Sequence, residues 1–564
     1  MMIRIAAVVI LLIAGAAPAV AQTPPGKNFK VTWKKMVVDK LFRSEGVGVV
    51  DVNKDGKKDI VTGDTWYEAP DWKMHVLAKE RRVEIKGWGD TLEKGWNPLN
   101  YSRSFAVFPE DFNGDGWMDV IVIPFPGEEC FWYENPGPKG GMWKQHHVTN
   151  SACNETPIYV DVFGKGKKVL VMGWQPPGSK GNMGEMCYFL PGKDPTQPWE
   201  RISISGPSAP GKEIPGTQRF SHGLGHGDVN GDGRFDIICT GGWWEQPPPP
   251  SPPSQGGAAG GGTTPWKFHP ANLGPACADM NVIDLDGDGK ADIISSSAHN
   301  YGMWWYQQKS GTEFIQRDLF PDPFQVTKLS KEHGLTAEEL ALYNAVNKLR
   351  GQQGRAPLKL NAALVAQARG SALSLKSPET VKSSYRGDIK WAKLANAEAF
   401  SADAAAQQLS PNIDKQPSLK APRLEMGVAA AKDADGKSVT VLLLGDSGKF
   451  SLPAQTHAMH FVDINGDGLK DLVTGRRWWA HGPKGDAGPN DPAYIYWFEA
   501  KKNKDGGTTF IPHEVDDNSG IGTAFAVDDI NGDGLPDIII SNKRGVYILI
   551  QVRVPVDAVP SRNE

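Results

Sequence analysis

Short apolar runs recur along the chain, and each follows the same kind of acidic turn. The runs are rich in β-branched residues and read DIVTG, DVIVI, DIICTG, DIISS, DLVTG and DIIIS. Aromatic clusters such as TWYEAP, CFWYENPGP and WWEQP come next, and later segments read WKMHVL, WKQHHV or WKFHP. Short apolar runs bounded by turn residues are typical of β-strands. Four such strands in each repeat predict the blades of a β-propeller.

The turns share a nine-residue pattern, D-x-[N/D]-x-D-G-x-x-D. Complete copies begin at residues 51, 111, 228, 284, 463 and 529, and DVFGKGKKV at 161 keeps the frame but loses most acids. The step from 284 to 463 is longer than the other steps by about the length of a small domain. We therefore predict an all-β fold, a seven-bladed β-propeller with a small α+β domain inserted between blades five and six.

The domain boundaries follow from these positions. Residues 1–21 read as a signal peptide, 22–325 as blades one to five, 326–452 as the inserted domain and 453–564 as blades six and seven. The last blade lacks an outer strand of its own, and KVTWKKMVVD at residues 30–39 resembles one. We expect this N-terminal strand to complete the last blade, which would leave no open sheet edge.

These repeats resemble the FG-GAP/VCBS repeat family, whose propellers include the head of integrin α-subunits. The resemblance covers most of the chain outside the insert and rests on the nine-residue turn. It implies a propeller fold.

The acidic turns are suited to calcium. Oxygen ligands at positions 1, 3 and 5, a backbone carbonyl at 7 and a carboxylate at 9 can surround one hard cation, whereas Mg²⁺ prefers to keep bound water. In the alternative interpretation the side chains only hydrogen-bond their own turn. Lys165 replaces an acid in the turn that begins at residue 161, where we expect no ion. The predicted calcium ligands are Asp51, Asn53, Asp55, Lys57, Asp59, Asp111, Asn113, Asp115, Trp117, Asp119, Asp228, Asn230, Asp232, Arg234, Asp236, Asp284, Asp286, Asp288, Lys290, Asp292, Asp463, Asn465, Asp467, Leu469, Asp471, Asp529, Asn531, Asp533, Leu535 and Asp537.

The region 326–452 has a different pattern. Apolar residues such as Leu340, Tyr343 and Val346 recur at helical spacing after a T-A-E-E start at Thr336. AEAFSADAAAQQL predicts another helix, and SVTVLLLGD predicts a strand.

This module resembles the CAP (SCP-like) domain through N-x-x-R-x-x-x-G-x-x-P-L-x-x-N-x-x-L, from Asn347 to Leu364. The resemblance implies a cavity with two histidines and an acidic residue. Here Arg369 and Ile413 stand near the histidine positions, and Glu398 matches the acidic one. We therefore expect the metal-binding cavity to be lost and the module to act as a spacer or interaction domain.

If the blades align, the positions six residues before each first aspartate form a ring at one mouth of the channel. Arg43 and Arg103 lie two residues before two of these positions, and we predict a ligand site of Arg43, Glu45, Arg103, Glu155, His222 and His457. The ring would bind a divalent metal or an anionic, hydroxyl-rich ligand, with His222 or His457 as a catalytic base. Alternatively these groups only solvate the mouth, or a slip in register turns them away. The complete ring is Glu45, Phe105, Glu155, His222, Ala278, His457 and Thr523.

Composition narrows the class of protein. A formal net charge of −4 argues against nucleic acid as a partner. Arg4, the apolar run after it and Ala19-Val20-Ala21 indicate a signal peptide cleaved near Ala21-Gln22, which implies a secreted or periplasmic protein. No other segment is predicted to span a membrane, and we expect a monomer. The five cysteines lack the spacing of a metal site or disulfide framework.

Two functions remain open. The first is a calcium-binding propeller that binds glycan or extracellular protein; the second is a carbohydrate-active lyase or dehydratase at the channel mouth. No GxSxG, HExxH or Walker motif is present, so the sequence does not decide whether the protein is an enzyme. Convergence of His222 and His457 would favour the enzyme. The tryptophan clusters recur at one repeat position and fit packing between blades better than stacking on sugars.

Overall fold

The computed structural model describes residues 29–78, 94–179, 183–248, 265–274, 277–319, 334–352, 358–376, 388–410, 424–446, 454–483, 485–487 and 492–555. The predicted signal peptide, most of the Pro- and Gly-rich segment 247–262 and Ile413 lie outside these residues. Among the helices in the described ranges, none has both the length and the apolar character needed to span a bilayer.

The chain begins with the long strand β1 (Phe29–Asp39) and continues through five four-stranded antiparallel units, sheets 1 to 5. The second strand of each unit begins at the ninth residue of an acidic turn, as the β-branched runs predict. Sheet 1 contains β2 (Gly48–Val50), β3 (Asp59–Thr62), β4 (Thr65–Glu68) and β5 (Lys73–Val76); sheet 2 contains β6 (Ala106–Glu110), β7 (Asp119–Ile123), β8 (Cys130–Glu134) and β9 (Lys144–Thr149); sheet 3 contains β10 (Ile158–Val160), β11 (Val169–Trp174), β12 (Glu185–Leu190) and β13 (Glu200–Ser203); sheet 4 contains β14 (Leu224–Gly227), β15 (Asp236–Cys239), β16 (Gly242–Glu245) and β17 (Lys267–Pro270); sheet 5 contains β18 (Met280–Ile283), β19 (Asp292–Ser296), β20 (Met303–Ser310) and β21 (Glu313–Asp318).

A unit of helices and strands follows, with its own apolar core. Its helices and its last strand lie where the sequence patterns predict them. The strands form one sheet in the order β22-β24-β25-β23. The elements are α1 (Ala337–Gln352), β22 (Lys359–Leu360), α2 (Ala362–Ser374), β23 (Asp388–Ala397), α3 (Ala402–Leu409), β24 (Leu424–Lys432) and β25 (Ser438–Asp446).

Two further units complete the chain. Sheet 6 contains β26 (Thr456–Val462), β27 (Asp471–Arg476), β28 (Ile495–Lys502) and β29 (Thr508–Asp516); sheet 7 contains β30 (Ala526–Asp528), β31 (Asp537–Asn542) and β32 (Gly545–Pro555). Strand β1 pairs antiparallel with β32 and becomes the outer strand of sheet 7. The N-terminal strand thus supplies the fourth strand of sheet 7.

Backbone hydrogen bonds link six pairs of neighbouring sheets. Glu45 N–H donates to Ser104 O between sheets 1 and 2, and Thr523 N–H donates to Glu45 O between sheets 7 and 1. The other links are Ala152 to Glu128 (sheets 3 and 2), Glu155 to Ser221 (3 and 4), Asp279 to His457 (5 and 6) and Ile521 to Arg476 (7 and 6).

Sheets 4 and 5 are joined by strand pairing, so they are not separate sheets as the sequence predicts. Their inner strands β14 and β18 pair in parallel, Gly225 with Met280 and His226 with Asn281, so the two units form one eight-stranded sheet. A Cβ at residue 225 would lie 2.1 Å from the Met280 carbonyl oxygen. The contact therefore depends on glycine, which lets the two backbones approach.

Side-chain amides tie four sheets to the acidic turn of the preceding sheet. Each amide is buried or nearly so and donates to the backbone carbonyl of the second residue in that turn. The pairs are Asn135 with Val52, Gln246 with Val162, Gln308 with Val229 and Gln551 with Ile464. These bonds hold the turns in fixed positions relative to neighbouring sheets.

We predict that Gly225→Ala destabilises the protein, because the added methyl group clashes with backbone and not with a movable side chain. Overpacking of this kind costs about 1–3 kcal/mol, and sometimes more. A lower melting temperature measured by circular dichroism would support it. Gly192→Ala is the matched control, because the atom nearest to its Cβ would be Glu200 Oε1, at 3.8 Å. Equal melting temperatures for the two variants would contradict the proposed backbone clash at residue 225.

Candidate functional site

Four of the predicted ring residues converge at the inner ends of their sheets. Glu155 Oε2 lies 3.3 Å from His222 Nε2 and 3.5 Å from His457 Nε2, and Glu45 lies beside them through a shared arginine. These side chains are at most 8% exposed. They come from sheets 1, 3, 4 and 6, which the backbone hydrogen bonds between sheets bring together. We call Glu155, His222 and His457 the central cluster.

Arg477 joins the two glutamates. Its guanidinium lies 3.0 Å from Glu45 Oε1 and 3.2 Å from Glu155 Oε2, and its side chain is 1% exposed. Lys543 Nζ lies 3.7 Å from Glu45, and the ring of Tyr101 lies over both cations. Two buried carboxylates are thereby balanced by two buried cations, as burial of charge requires.

The protonation states follow from these contacts. Burial raises the pKa of Glu155, but His222, His457 and Arg477 outweigh it and hold the pKa well below its usual range. Burial, with Arg477 and His222 nearby, lowers the pKa of His457 to about 3, so this imidazole is neutral at pH 7. Burial also lowers the pKa of Lys543 to about 8.

The tautomer of His457 is set by its other nitrogen. Nδ1 lies 3.0 Å from the carbonyl oxygen of Thr523, which can only accept, so Nδ1 carries the proton. The lone pair of Nε2 then faces the carboxylate of Glu155. Neither His457 Nε2 nor His222 Nε2 has a hydrogen-bond partner among the described residues. Two imidazole nitrogens and a carboxylate oxygen within 4.8 Å of one another are suited to a divalent cation.

A second cluster adjoins the central one. Asp486 Oδ1 lies 2.9 Å from His481 Nδ1 and 3.2 Å from His299 Nδ1. The His299 ring lies 4.8 Å from that of His222, centroid to centroid, and 4.9 Å from that of His481. The side chain of His481 is 52% exposed, so the chain of histidines leads from the buried cluster toward solvent.

Aromatic and basic groups surround the exposed side. Tyr101 contacts His481 and Phe125, and Phe125 contacts Phe220. Phe220 is 47% exposed, and the Arg219 guanidinium lies near both phenylalanine rings. Exposed aromatic faces next to a guanidinium can bind the apolar face and the anionic groups of a sugar.

The two arginines predicted for the ring have other partners. Arg43 Nε donates to Asp39 Oδ2 at 2.7 Å, and Arg103 pairs with Glu128 at 2.7 Å. Each guanidinium forms an ion pair with a carboxylate outside the central cluster, so both assignments to the ligand site are corrected. The remaining ring positions, Phe105, Ala278 and Thr523, are buried and contribute packing or backbone contacts.

Two other histidines near the turns are satisfied strand residues. His460 Nε2 donates to the Phe525 carbonyl at 2.8 Å, and His226 packs against Phe235. Burial lowers the pKa of both. They border a cavity of about 800 Å³ at the turn end of sheets 4 to 6 and take no part in the central cluster.

The acidic turns share one hydrogen-bonding scheme. In the second turn the first aspartate, Asp111, accepts from the backbone N–H groups of Gly114 and Gly116, both at 2.8 Å. The ninth aspartate, Asp119, is fully buried and accepts from the backbone of Phe112 and Asn135. The ninth aspartates of the other complete turns make equivalent bonds; they are Asp59, Asp236, Asp292, Asp471 and Asp537.

The carboxylates of each turn also crowd one another, which fits a calcium site. Burial, together with Asp115 and Asp111, raises the pKa of Asp119 to about 7 against its two backbone hydrogen bonds. In the fifth turn the carboxylate oxygens of Asp284, Asp286 and Asp292 all lie within 4.8 Å of one another. Oxygen-only donors at this spacing suit a hard cation.

The tryptophan clusters pack between strands. In four sheets a tryptophan of the third strand stacks on a histidine of the fourth, with ring centroids 4.1 to 4.4 Å apart, and the histidine contacts a glutamate two residues after the tryptophan. Trp132, Trp243 and Trp497 are buried, so packing is confirmed for them. The sets are Trp66, His75 and Glu68; Trp132, His146 and Glu134; Trp243, His269 and Glu245; and Trp497, His513 and Glu499.

In the α+β unit, two of the residues compared with the CAP cavity, Arg369 and Glu398, have other partners. Arg369 pairs with Glu339, which is itself tied to Thr336 at the start of α1. Glu398 is 83% exposed and pairs with Lys437. These contacts hold elements together and leave neither side chain directed at a shared site.

The comparisons with known proteins give one sequence match. The FG-GAP repeat family matches residues 521–549, which contain the last acidic turn and its strands. No curated protein sequence matches the chain.

Solved structures similar to this chain include three of note. An Agrocybe aegerita lectin that recognises non-reducing terminal N-acetylglucosamine has a TM-score of 0.32 and 12% identity over 94% of this chain and 87% of its own. The V. cholerae biofilm matrix protein Bap1 has a TM-score of 0.33 and 11% identity over 95% of this chain and 92% of its own. The Bacillus licheniformis rhamnogalacturonan lyase PL11 has a TM-score of 0.33 and 11% identity over 93% of this chain and 75% of its own. Scores this low carry no inference, so the function rests on the geometry above.

We predict that Arg477→Met destabilises the protein by about 3–5 kcal/mol, because Glu45 and Glu155 would stay buried without their shared cation. Denaturant unfolding measures the loss. Arg103→Met is the matched control: it breaks an Arg–Glu pair whose side chains are 19% and 24% exposed, and such pairs contribute about 0–1 kcal/mol. A loss for Arg477→Met no larger than that of the control would refute the assigned role.

Proposed function

We propose that the seven sheets are blades of a closed, calcium-binding β-propeller, with the α+β unit inserted between blades five and six. In this proposal the central cluster is the divalent-metal site of a carbohydrate lyase or dehydratase. The backbone hydrogen bonds and strand pairing that lead from each sheet to the next, and from sheet 7 back to sheet 1, support the closed ring. The predicted signal peptide supports action outside the cytoplasm.

The convergence of Glu155, His222 and His457 carries the proposal. Their ligand atoms lie within 4.8 Å of one another, and their side chains come from three different sheets. A binding surface has no need to bury two histidines against a glutamate, since burial of these groups is costly unless something satisfies them. A divalent ion held by two imidazoles and one carboxylate keeps open positions for substrate.

The division of roles follows from burial. His222 and His457 hold the cation and do not act as the base, which revises their predicted role. When bound, the metal supplies a Lewis acid that polarises a carbonyl or carboxylate of the substrate. Burial raises the pKa of Tyr101 well above its usual value, so its hydroxyl stays protonated at neutral pH and can donate a hydrogen bond to a substrate oxygen.

The exposed side supports a carbohydrate as substrate. Phe220 offers an open ring face for stacking, and Arg219 beside it offers a fixed cation for a carboxylate or hydroxyl groups. Arg219 is held by its Nε–H bond to the Pro126 carbonyl, so the guanidinium is oriented before a ligand binds.

The test is a polysaccharide screen with added Zn²⁺ or Mn²⁺ that records ultraviolet absorbance of unsaturated products and, separately, binding. We expect turnover by the wild type and background turnover by His222→Ala/His457→Ala, because the double variant loses two of three ligands. His226→Ala is the matched control, four residues further along the chain than His222 in strand β14, and should keep wild-type turnover. Binding without turnover by the wild type, retained in the double variant, would instead support a glycan-binding or protein-binding module.

Calcium is tested one turn at a time. We predict that Asp288→Ala, at position 5 of the fifth turn, lowers the bound calcium by one ion per chain and lowers the melting temperature in calcium buffer. Lys165→Ala, at the same position of the third turn, which begins at residue 161, should change neither, because that turn lacks the acids. Metal analysis after dialysis and calorimetric titration measure the count. A wild type whose melting temperature does not respond to Ca²⁺ or to chelator would rule the proposal out.

A further inference from the structure

The cluster of His299, His481 and Asp486 has no part in the functions considered so far. We infer that these residues form a second divalent transition-metal site beside the central cluster. His299 follows β19 in sheet 5, and the other two residues lie between β27 and β28 in sheet 6. The inference stands on this geometry and does not depend on the reaction proposed above.

The three ligand atoms point at one place. The Nδ1 atoms of both imidazoles face the same oxygen, Asp486 Oδ1, and all three atoms lie within 4.8 Å of one another. His299 Nδ1 is buried yet has no hydrogen-bond partner among the described residues, although Asp486 is 3.2 Å away. The nitrogen is therefore close to the carboxylate but poorly aligned with it for a hydrogen bond, and a cation between them would satisfy both.

The backbone holds this arrangement in place. The N–H of His481 donates to Asp486 Oδ2 at 2.9 Å, and the N–H of Ala487 donates to the carbonyl of His299 at 3.2 Å. Gln455, which is fully buried, donates its amide to the carbonyl of Ala487 at 2.8 Å. Both segments that supply ligands are thus tied to each other, and the cation would meet a site that needs little rearrangement.

The donor set indicates the class of metal. Two imidazole nitrogens and one carboxylate oxygen suit Zn²⁺, Mn²⁺ or Ni²⁺, whereas calcium takes oxygen ligands. The half-exposed ring of His481 leaves the outer side of the site open to solvent and to a ligand. Since His299 contacts His222, the two sites are neighbours, and an oxygen-rich substrate could contact both cations.

The experiment counts zinc on the full chain. Protein purified through chelator and then saturated with Ca²⁺, which fills the acidic turns, is titrated with Zn²⁺ in a calorimeter, and bound zinc is measured after dialysis. We expect two zinc ions per chain in the wild type and one in either His481→Ala or Asp486→Asn. His222→Ala/His457→Ala should also retain one. His513→Ala is the control, because His513 is a partly exposed histidine of sheet 6 that contacts a glutamate outside both clusters.

The outcomes separate the two sites. A single zinc ion that is lost in His481→Ala but not in the central double variant supports the second site and rejects the central one. Zinc binding that is unchanged in both His481→Ala and Asp486→Asn overturns the inference, and absence of zinc binding overturns both sites. Circular dichroism melts of each variant exclude unfolding as the cause of a lost ion, and His481→Ala removes only an exposed side chain.

Discussion

The hydrogen bonds between successive inner strands are the constraint on which the centre of the molecule depends. They join backbone to backbone, so they fix the register of each hairpin against its neighbours as well as the distance between sheets. Once the registers agree, side chains at the same offset from each acidic turn must meet. Glu155, His222 and His457 come together for this reason, although up to 302 residues separate them in the sequence.

This convergence buries charged side chains, which is unfavourable, and Arg477 offsets that cost. Without Arg477, the two buried glutamates would be protonated, or their charges would destabilise the packing of the sheets around them. The guanidinium is planar and has donors for both, which a lysine could not offer in the same geometry. With Glu155 kept ionised and His457 kept neutral, the central cluster presents ligands in the states that a metal requires.

The repeat predicted the strands, the closure by the N-terminal strand and four members of the site, because all of these follow from one periodic pattern. It missed Arg477 and Lys543, which each lie six residues after the ninth aspartate of their turns. Antiparallel pairing brings these two residues close to the positions six to eight residues before each turn, so reading both arms of each hairpin would have found them. Arg43 and Arg103 were misassigned for a different reason: single acids, Asp39 and Glu128, capture them, and no repeat encodes those contacts.

The turn at residue 161 has the backbone shape of the acidic turns without most of their charge. It has lost the acids at positions 3, 5 and 9, yet Gly164 and Gly166 have φ angles of 62° and 73°, close to the 74° and 83° of Gly114 and Gly116. Asp161 still accepts from the backbone of Lys165 and Gly166. Glycine and the first aspartate therefore suffice to form the turn. The remaining acids make further hydrogen bonds to the backbone, as Asp119 does with Phe112 and Asn135, but they also place several carboxylates close together.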